Sequence, residues 1–311
     1  MISLSTAWNH TRHTTGTGLI NEIRAAGFDT VELNFALTHD IVNEIETLVR
    51  QGAISVSSLH NMCPLPELIT PAAASPDYYS LASADEAERA RAVTAAKQTI
   101  DCAHRLGAKA VILHMGRVPI QDGTRDLAAV VTDPQRSAAI EGKTAAAIRE
   151  RLILDRDTNR QDHLEYAMQS LGELAPYAGK QGIALGIENR YYYREIPIRE
   201  ELDIILRNFR RSNVYYWHDV GHAEAFERLG LGRHKDLLEN FSNRLLGMHL
   251  HDIIGVMGDH KAPGSGTFDF RLLEPYITRD TIKVIEAHQP ASAGQLRKSV
   301  EYLADIFTDR F

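Results

Sequence analysis

The feature that most constrains the fold is a recurring unit, in which an amphipathic helical stretch is followed by a glycine and then by a short apolar segment. The unit first appears as residues 20–26, Gly27 and residues 30–35, and it returns around Gly52, Gly107 and Gly182. Glycine suits the position just past a helix, where the backbone takes a left-handed conformation at little steric cost. The repeat therefore predicts helices and strands that alternate along the chain.

Eight apolar segments have the length and composition of strands. They are residues 2–7, 30–35, 54–60, 110–114, 184–188, 214–219, 245–251 and 282–287. Strands that alternate with helices pair in parallel, and eight of them in 311 residues favour an α/β fold closed as a single (β/α)8 barrel. An open doubly wound sheet is the alternative. We expect one domain over residues 1–311.

Two connections are longer than the others, and both follow strands. Residues 61–83 are rich in Pro, Ala and Ser, and predict an extended loop before a helix from about Asp85 to Leu106. Residues 116–133 predict a second extended loop, followed over residues 134–178 by two helices with a break near residues 155–159. Loops after strands 3 and 4 of a barrel lie on its catalytic face, so we expect lids or binding loops.

Composition and charge indicate the compartment and the class of partner that this chain is expected to have. The chain has 44% hydrophobic and 24% charged residues with no long apolar run, so we expect no membrane span. Cys63 and Cys102 lack the spacing of a zinc or redox pair, which favours a reducing compartment, by default the cytoplasm. A net charge of -7 and the lack of a basic cluster make nucleic acid an unlikely partner. A small-molecule partner is expected instead, and the sequence does not decide whether the chain forms a homo-oligomer.

Nearly every predicted strand ends in a side chain that can bind metal or move protons. In chain order these residues are His60, His114, Glu188, Asn189, Asp219, His249, His251, Asp252, Glu286 and His288. In a parallel barrel the strand ends converge on one rim. Because residues two apart share a face of a strand, His249 and His251 are expected to point the same way.

Four of these residues are the strongest candidates for a metal site: Glu188, Asp219, His249 and Glu286. Each follows an apolar run, where an unpaired charge would be costly and where a cation would neutralise the carboxylates. Three carboxylates and one imidazole suit Mn2+, Mg2+ or Co2+ and still permit Zn2+. The sequence therefore predicts a divalent metal ion as cofactor.

Four short motifs, each after its own strand, give the chain a family resemblance. They are Gly186-Ile187-Glu188-Asn189, Asp219-Val220-Gly221-His222, His249-Leu250-His251-Asp252, and His260 followed by Pro263-Gly264-Ser265-Gly266. In this order they resemble the xylose-isomerase-like barrels, which include sugar isomerases and epimerases and nucleases of the endonuclease IV type. The resemblance implies the same four metal ligands, with His222 beside the substrate.

In the ketose epimerase branch, the resemblance further implies that the two matching glutamates act as acid and base. Glu188 and Glu286 would take these roles here, moving a proton next to a carbonyl through an enediolate. The expected function is a metal-dependent isomerase or epimerase of a small sugar, polyol or keto acid. A dehydratase of a cyclic polyol or keto acid, which begins with the same proton abstraction, stays open.

The nuclease branch is the alternative from another class, because it holds three zinc ions with additional histidines. His60, His114, His222 and His260 match those positions. The nuclease pattern, however, has an aspartate two residues before the last histidine, where this chain has Gly258 and an adjacent Asp259. We therefore expect one zinc ligand to be missing or displaced.

Two further residues are candidates for substrate binding. Arg190 opens a run of arginines and tyrosines after Glu188 and could recognise a carboxylate, a phosphate or sugar hydroxyls, or else pair with Glu195 on the surface. Trp8 ends the first predicted strand, where its ring could pack against a sugar. For Phe35, at the end of the second strand, a place in the core is the favoured interpretation.

Overall fold

The computed structural model describes residues 2–133 and 144–308. Within these residues lie ten strands, which we number in chain order. They are Ile2–Ser5 (β1), Thr30–Leu33 (β2), Ser55–His60 (β3), Ala110–Leu113 (β4), Ala184–Glu188 (β5), Val214–Asp219 (β6), Leu245–Leu250 (β7), Asp252–Ile254 (β8), Gly258–Lys261 (β9) and Ile282–Ile285 (β10). Eight of them form a closed parallel barrel in the order β1-β10-β7-β6-β5-β4-β3-β2. The predicted (β/α)8 barrel is confirmed.

The remaining two strands, β8 and β9, form an antiparallel ribbon that was not predicted. The helices surround the barrel. They are Gly16–Ala25 (α1), His39–Arg50 (α2), Glu86–Leu106 (α3), Thr124–Thr132 (α4), Ala145–Lys180 (α5), Arg199–Asn208 (α6), Val220–Arg228 (α7), His234–Phe241 (α8) and Ala293–Ile306 (α9). No helix in the described residues combines the length and apolarity needed to cross a bilayer.

Local chemistry sets the helix ends. Asp85 caps α3, because its carboxylate accepts the backbone N–H groups of Ala87 and Glu88. Gly107 ends the same helix with a φ of 68°, a left-handed conformation that favours glycine. The helix predicted from about Asp85 to Leu106 is therefore confirmed.

Two details of the predicted connections are wrong. The loop predicted over residues 116–133 contains α4 at its end. The break predicted near residues 155–159 falls inside α5, which is continuous. The polar run that suggested a break holds Arg156, which is fully buried and donates to Glu201 Oε2 at 2.5 Å and to Tyr193 O at 2.7 Å. Residues 134–143 of the predicted helical segment lie outside the described residues.

The interior of the barrel has two halves of different chemistry. We call Ser3, Ser5, Glu32 and Ser58 the polar half; they alternate along β1, β2 and β3 with outward residues that pack under the helices. We call Ala110, Ile112, Trp217 and Val284 the apolar half; they form one buried cluster. Trp217 needs Gly247 beside it, since a Cβ there would overlap the indole ring. Both halves lie beneath the rim to which the strands bring their polar ends.

Candidate metal centre

The rim brings together the four predicted ligands. Glu188 and Asp219 are the last residues of β5 and β6, His249 is the second-last residue of β7, and Glu286 directly follows β10. All four are buried, and each places one donor atom within 4.8 Å of the others. Nδ1 of His249 lies 2.6 Å from Glu188 Oε1, 3.1 Å from Glu286 Oε2 and 3.5 Å from Asp219 Oδ2. The arrangement converges on a single point, as the expectation from the strand ends required.

In this group, the imidazole of His249 and the neighbouring carboxylates each favour the charged form of the other. Burial opposes a charge on His249, but Glu286, Glu32 and Glu188 outweigh it and raise the pKa of the imidazole well above its ordinary value. Burial also opposes a charge on Glu188, but His249, His114 and His60 outweigh it and lower the pKa of this carboxyl well below its usual range. The surrounding carboxylates therefore favour positive charge at His249.

Asp219 is fixed by its neighbours on several sides. It caps α7, because Oδ1 accepts the backbone N–H of His222 at 2.7 Å, and its carboxylate also accepts Nε2–H of His251 at 2.9 Å. Asn189 holds the backbone of Asp219 at two points, accepting its N–H at 2.8 Å and donating to its carbonyl at 2.9 Å. A close approach also depends on Gly221, because a Cβ there would overlap the His251 ring.

The donor chemistry fits a divalent cation. Three carboxylates and one imidazole supply oxygen and nitrogen donors in a buried site, which is the donor set expected for Mn2+, Mg2+, Co2+ or Zn2+. Nε2 of His249 lies 3.0 Å from Glu32 Oε1, which leaves Nδ1 for the cation. Such a cation would compensate the charge of the three carboxylates.

Sequence reasoning missed Glu32, which lies in the middle of β2. Its signal was present, because Val31 and Leu33 pack outward and the alternation turns the carboxylate between them into the barrel.

A second group of possible ligands consists of His60, His114 and Glu188. The guanidinium of Arg190 lies against it: Nη1 donates to Glu188 Oε2 at 2.8 Å and also contacts Nε2 of His114. Nη2 of Arg190 donates to Glu195 Oε1 at 3.2 Å. A cation at this second position would have to displace a guanidinium that already neutralises Glu188.

A third group corrects an expectation from the sequence. Asp259, expected to be displaced, joins His222 and His260 in a set with ligand geometry, and its Oδ2 lies 3.0 Å from His260 Nδ1. The β8–β9 ribbon brings Asp259 there, with His260 at a φ of 52°. The shift of Asp259 by one position in the sequence therefore does not remove its carboxylate from this group.

A fourth group, His251 with His260 and Glu286, is less suited to a cation. Nδ1 of His251 accepts the backbone N–H of His260 at 2.9 Å, and Nε2 lies 2.9 Å from Asp219 Oδ2. Both ring nitrogens are thus engaged by the protein, so His251 supports Asp219 instead of offering a ligand atom.

The centre opens into a cavity of about 550 Å³. Glu188 and Glu286 line it, together with His60, His114, Arg190, His222, His260, Asn34, Tyr191, Tyr192, His10, His288 and Phe35. Phe35 was expected in the core but borders this cavity. Trp8 does not line the cavity: a short 3-10 turn, Thr6–Trp8, follows β1, and the buried indole N–H donates to Ala291 O at 2.7 Å.

Solved structures with the same architecture span almost the whole chain. A D-tagatose 3-epimerase-like protein superposes with a TM-score of 0.67 at 18% identity, covering 99% of this chain and 97% of that one. A D-allulose 3-epimerase from Methylomonas sp. in complex with D-allulose gives 0.62 at 15% identity, with 96% and 88% covered. An IolI protein with a bound zinc atom gives 0.63 at 14% identity, with 100% and 99% covered. At such identities the likeness shows the fold alone.

No curated protein matches the sequence. The family model described as the xylose isomerase-like TIM barrel matches residues 20–306, which include all four strands that bring residues to the centre. This chain belongs to the xylose isomerase-like TIM barrel family.

Proposed function

We propose that this protein is a divalent-metal-dependent isomerase or epimerase of a small sugar or polyol, with Glu188 and Glu286 as the proton-transfer pair. One observation carries the proposal. Of the four residues in the candidate metal centre, Glu188 and Glu286 line the cavity, whereas Asp219 and His249 are completely buried. Two carboxylates are thus available both to hold a cation and to reach a substrate.

A bound divalent cation would supply positive charge next to an oxygen that becomes negative when the neighbouring carbon loses a proton. Glu188 is suited to accept that proton, because it lines the cavity and because Arg190 and a bound cation would both favour its carboxylate form. Its Oε2 is oriented by Arg190, while its Oε1 faces His249. Glu286 would return a proton from its own position in the cavity wall.

The cavity chemistry supports an uncharged substrate. Among its described lining residues, Arg190 is the one arginine or lysine, and its guanidinium already donates hydrogen bonds to Glu188 and Glu195. The histidine, tyrosine and asparagine side chains of the lining offer hydrogen bonds to hydroxyl groups, and Phe35 offers an apolar face. We therefore favour a free ketose or polyol over a phosphorylated one. Cytoplasmic location stays a prediction.

The test is deuterium incorporation from D2O. Protein loaded with Mn2+, Co2+ or Mg2+ is incubated with D-allulose and D-tagatose, the sugars named for the structural neighbours, and with a panel of other ketoses and of polyols that carry a keto group. We expect deuterium next to the carbonyl, and a loss of turnover of about 10²- to 10⁴-fold in Glu286→Gln. Glu46→Gln is the matched control, because Glu46 is a buried carboxylate remote from the cavity. Unchanged turnover in Glu286→Gln would remove this residue from the mechanism.

A multi-zinc phosphoesterase is the second candidate, because the rim presents the two additional ligand groups His60, His114, Glu188 and His222, Asp259, His260. Two or three zinc ions per chain and cleavage of a phosphodiester would favour it. The position of Arg190 within the first of these groups argues for the isomerase.

A further inference from the structure

We propose that Glu32 is a positioning residue, which holds the ring of His249 with Nδ1 toward the candidate metal centre and thereby strengthens cation binding. The inference rests on the proposed metal-dependent function and adds to it a residue outside the ligand set. Glu32 lies beneath the rim, in the polar half of the barrel, and does not line the cavity.

The geometry of the imidazole carries the argument. Glu32 Oε1 accepts Nε2–H of His249 at 3.0 Å, while Nδ1 of the same ring lies 2.6 Å from Glu188 Oε1 and 3.1 Å from Glu286 Oε2. An imidazole that donates from one nitrogen presents the lone pair of the other once it is neutral. A carboxylate on the donating side fixes this tautomer, orients the ring and increases its basicity as a ligand.

Glu32 is itself held from the opposite side. Its second oxygen, Oε2, accepts the Oγ–H of Ser58 at 2.8 Å. The register between β2 and β3 shifts between Val31 and Glu32, so that Ser58 pairs with Glu32. One residue earlier in β3, Ser57 accepts from Ser3 Oγ at 2.8 Å and donates to Val31 O at 3.2 Å. The carboxylate therefore cannot turn away from His249 without losing the bond from Ser58.

A role confined to folding explains this residue poorly. Glu32 has 0% exposure, and no described lysine or arginine forms an ion pair with it; its ion-pair partner is His249. A buried carboxylate is costly, and an apolar residue of similar size in such a place is often neutral or stabilising. The apolar half of the same barrel interior does without any charge. The position of Glu32 is better explained by what it does to His249.

The experiment measures Mn2+ affinity by calorimetric titration of chelator-treated protein, alongside thermal unfolding. In Glu32→Gln the amide oxygen can still accept from His249 but the charge is lost, so we expect Mn2+ to bind about 10-fold more weakly; in Glu32→Ala about 100-fold. Ser58→Ala, which removes only the support, is expected to weaken binding about two- to fivefold. This milder variant keeps the proposal testable if the changes at Glu32 prevent folding.

The matched control is Glu201→Gln. Glu201 is equally buried but pairs with Arg156 between α5 and α6, so its loss should lower stability and leave Mn2+ affinity unchanged. Wild-type affinity in Glu32→Gln, Glu32→Ala and Ser58→Ala, even with lower thermal stability, would overturn the role of Glu32 and leave the proposed function intact. If the wild-type protein bound no Mn2+, Co2+, Mg2+ or Zn2+, the metal centre and the proposed function would fail together with it.

Discussion

The polar and apolar halves of the barrel interior lie beneath the same rim and differ in what holds them together. The apolar half fills its space with the side chains of Ala110, Ile112, Trp217 and Val284, and burial of apolar surface stabilises it. The polar half has small hydroxyl side chains and one carboxylate, whose desolvation costs free energy. The apolar half therefore contributes stability, and the polar half is retained for the hydrogen bond that it makes to His249.

The largest expected effect is on the apolar half. Trp217 is fully buried, and its replacement in Trp217→Ala would leave a cavity in the centre of the barrel. We expect the free energy of unfolding to fall by about 3–5 kcal/mol. Urea unfolding followed by circular dichroism measures the change. A loss below about 1 kcal/mol would contradict the view that this half supplies the stability of the interior.

The next effect concerns Gly247, which packs against the ring of Trp217. A Cβ in Gly247→Ala would overlap the Trp217 ring, so we expect a cost of about 1–3 kcal/mol. The same Cβ would also lie 2.9 Å from the backbone oxygen of Ile282, so the cost should shrink but not vanish in the Trp217→Ala background. Equal costs in the two backgrounds would mean that the indole is not what excludes a side chain at position 247.

The pH dependence of metal binding tests the polar half. The carboxylates around His249 raise its pKa, so the cation-free site carries a proton that a cation at Nδ1 must displace. Affinity should therefore rise with pH, by up to about tenfold per unit below that pKa, with about one proton released per cation. Calorimetry in two buffers of different ionisation enthalpy counts the protons. Affinity that does not change between about pH 6 and 8 would contradict this assignment of charge.

The smallest effect is expected at the end of the polar half that is remote from the rim. Ser3 donates to Ser57 and has no direct contact with Glu32. Ser3→Ala should cost about 0.5–1.5 kcal/mol of stability and leave Mn2+ affinity unchanged. A loss of affinity as large as that in Ser58→Ala would extend the positioning role along the whole row of serines.

Much of this architecture could be predicted from the sequence, because its signals are local. The alternation of helices and strands predicts the barrel, and the polar residues at the strand ends predict the four residues of the centre. The bounds of β5 and β6 agree with the prediction, while β1 ends two residues early in a turn that carries Trp8 away from the cavity.

The missed features depend on contacts between distant segments. Asp259 reaches its group through the β8–β9 ribbon, and Arg156 continues α5 through a partner in α6. Glu32 was missed for the same reason: the alternation along β2 turns its carboxylate into the barrel, but its role depends on its partner His249, 217 residues away.

The measurement that tests the central claim most directly is the metal content per chain, by elemental mass spectrometry on protein purified without chelator. We predict about one divalent ion per chain, which is lost in His249→Ala and retained in His60→Ala. Two or three zinc ions, of which some are lost in His60→Ala, would contradict a single-metal centre and favour the phosphoesterase. Metal content that survives His249→Ala unchanged would contradict the assignment of the centre itself.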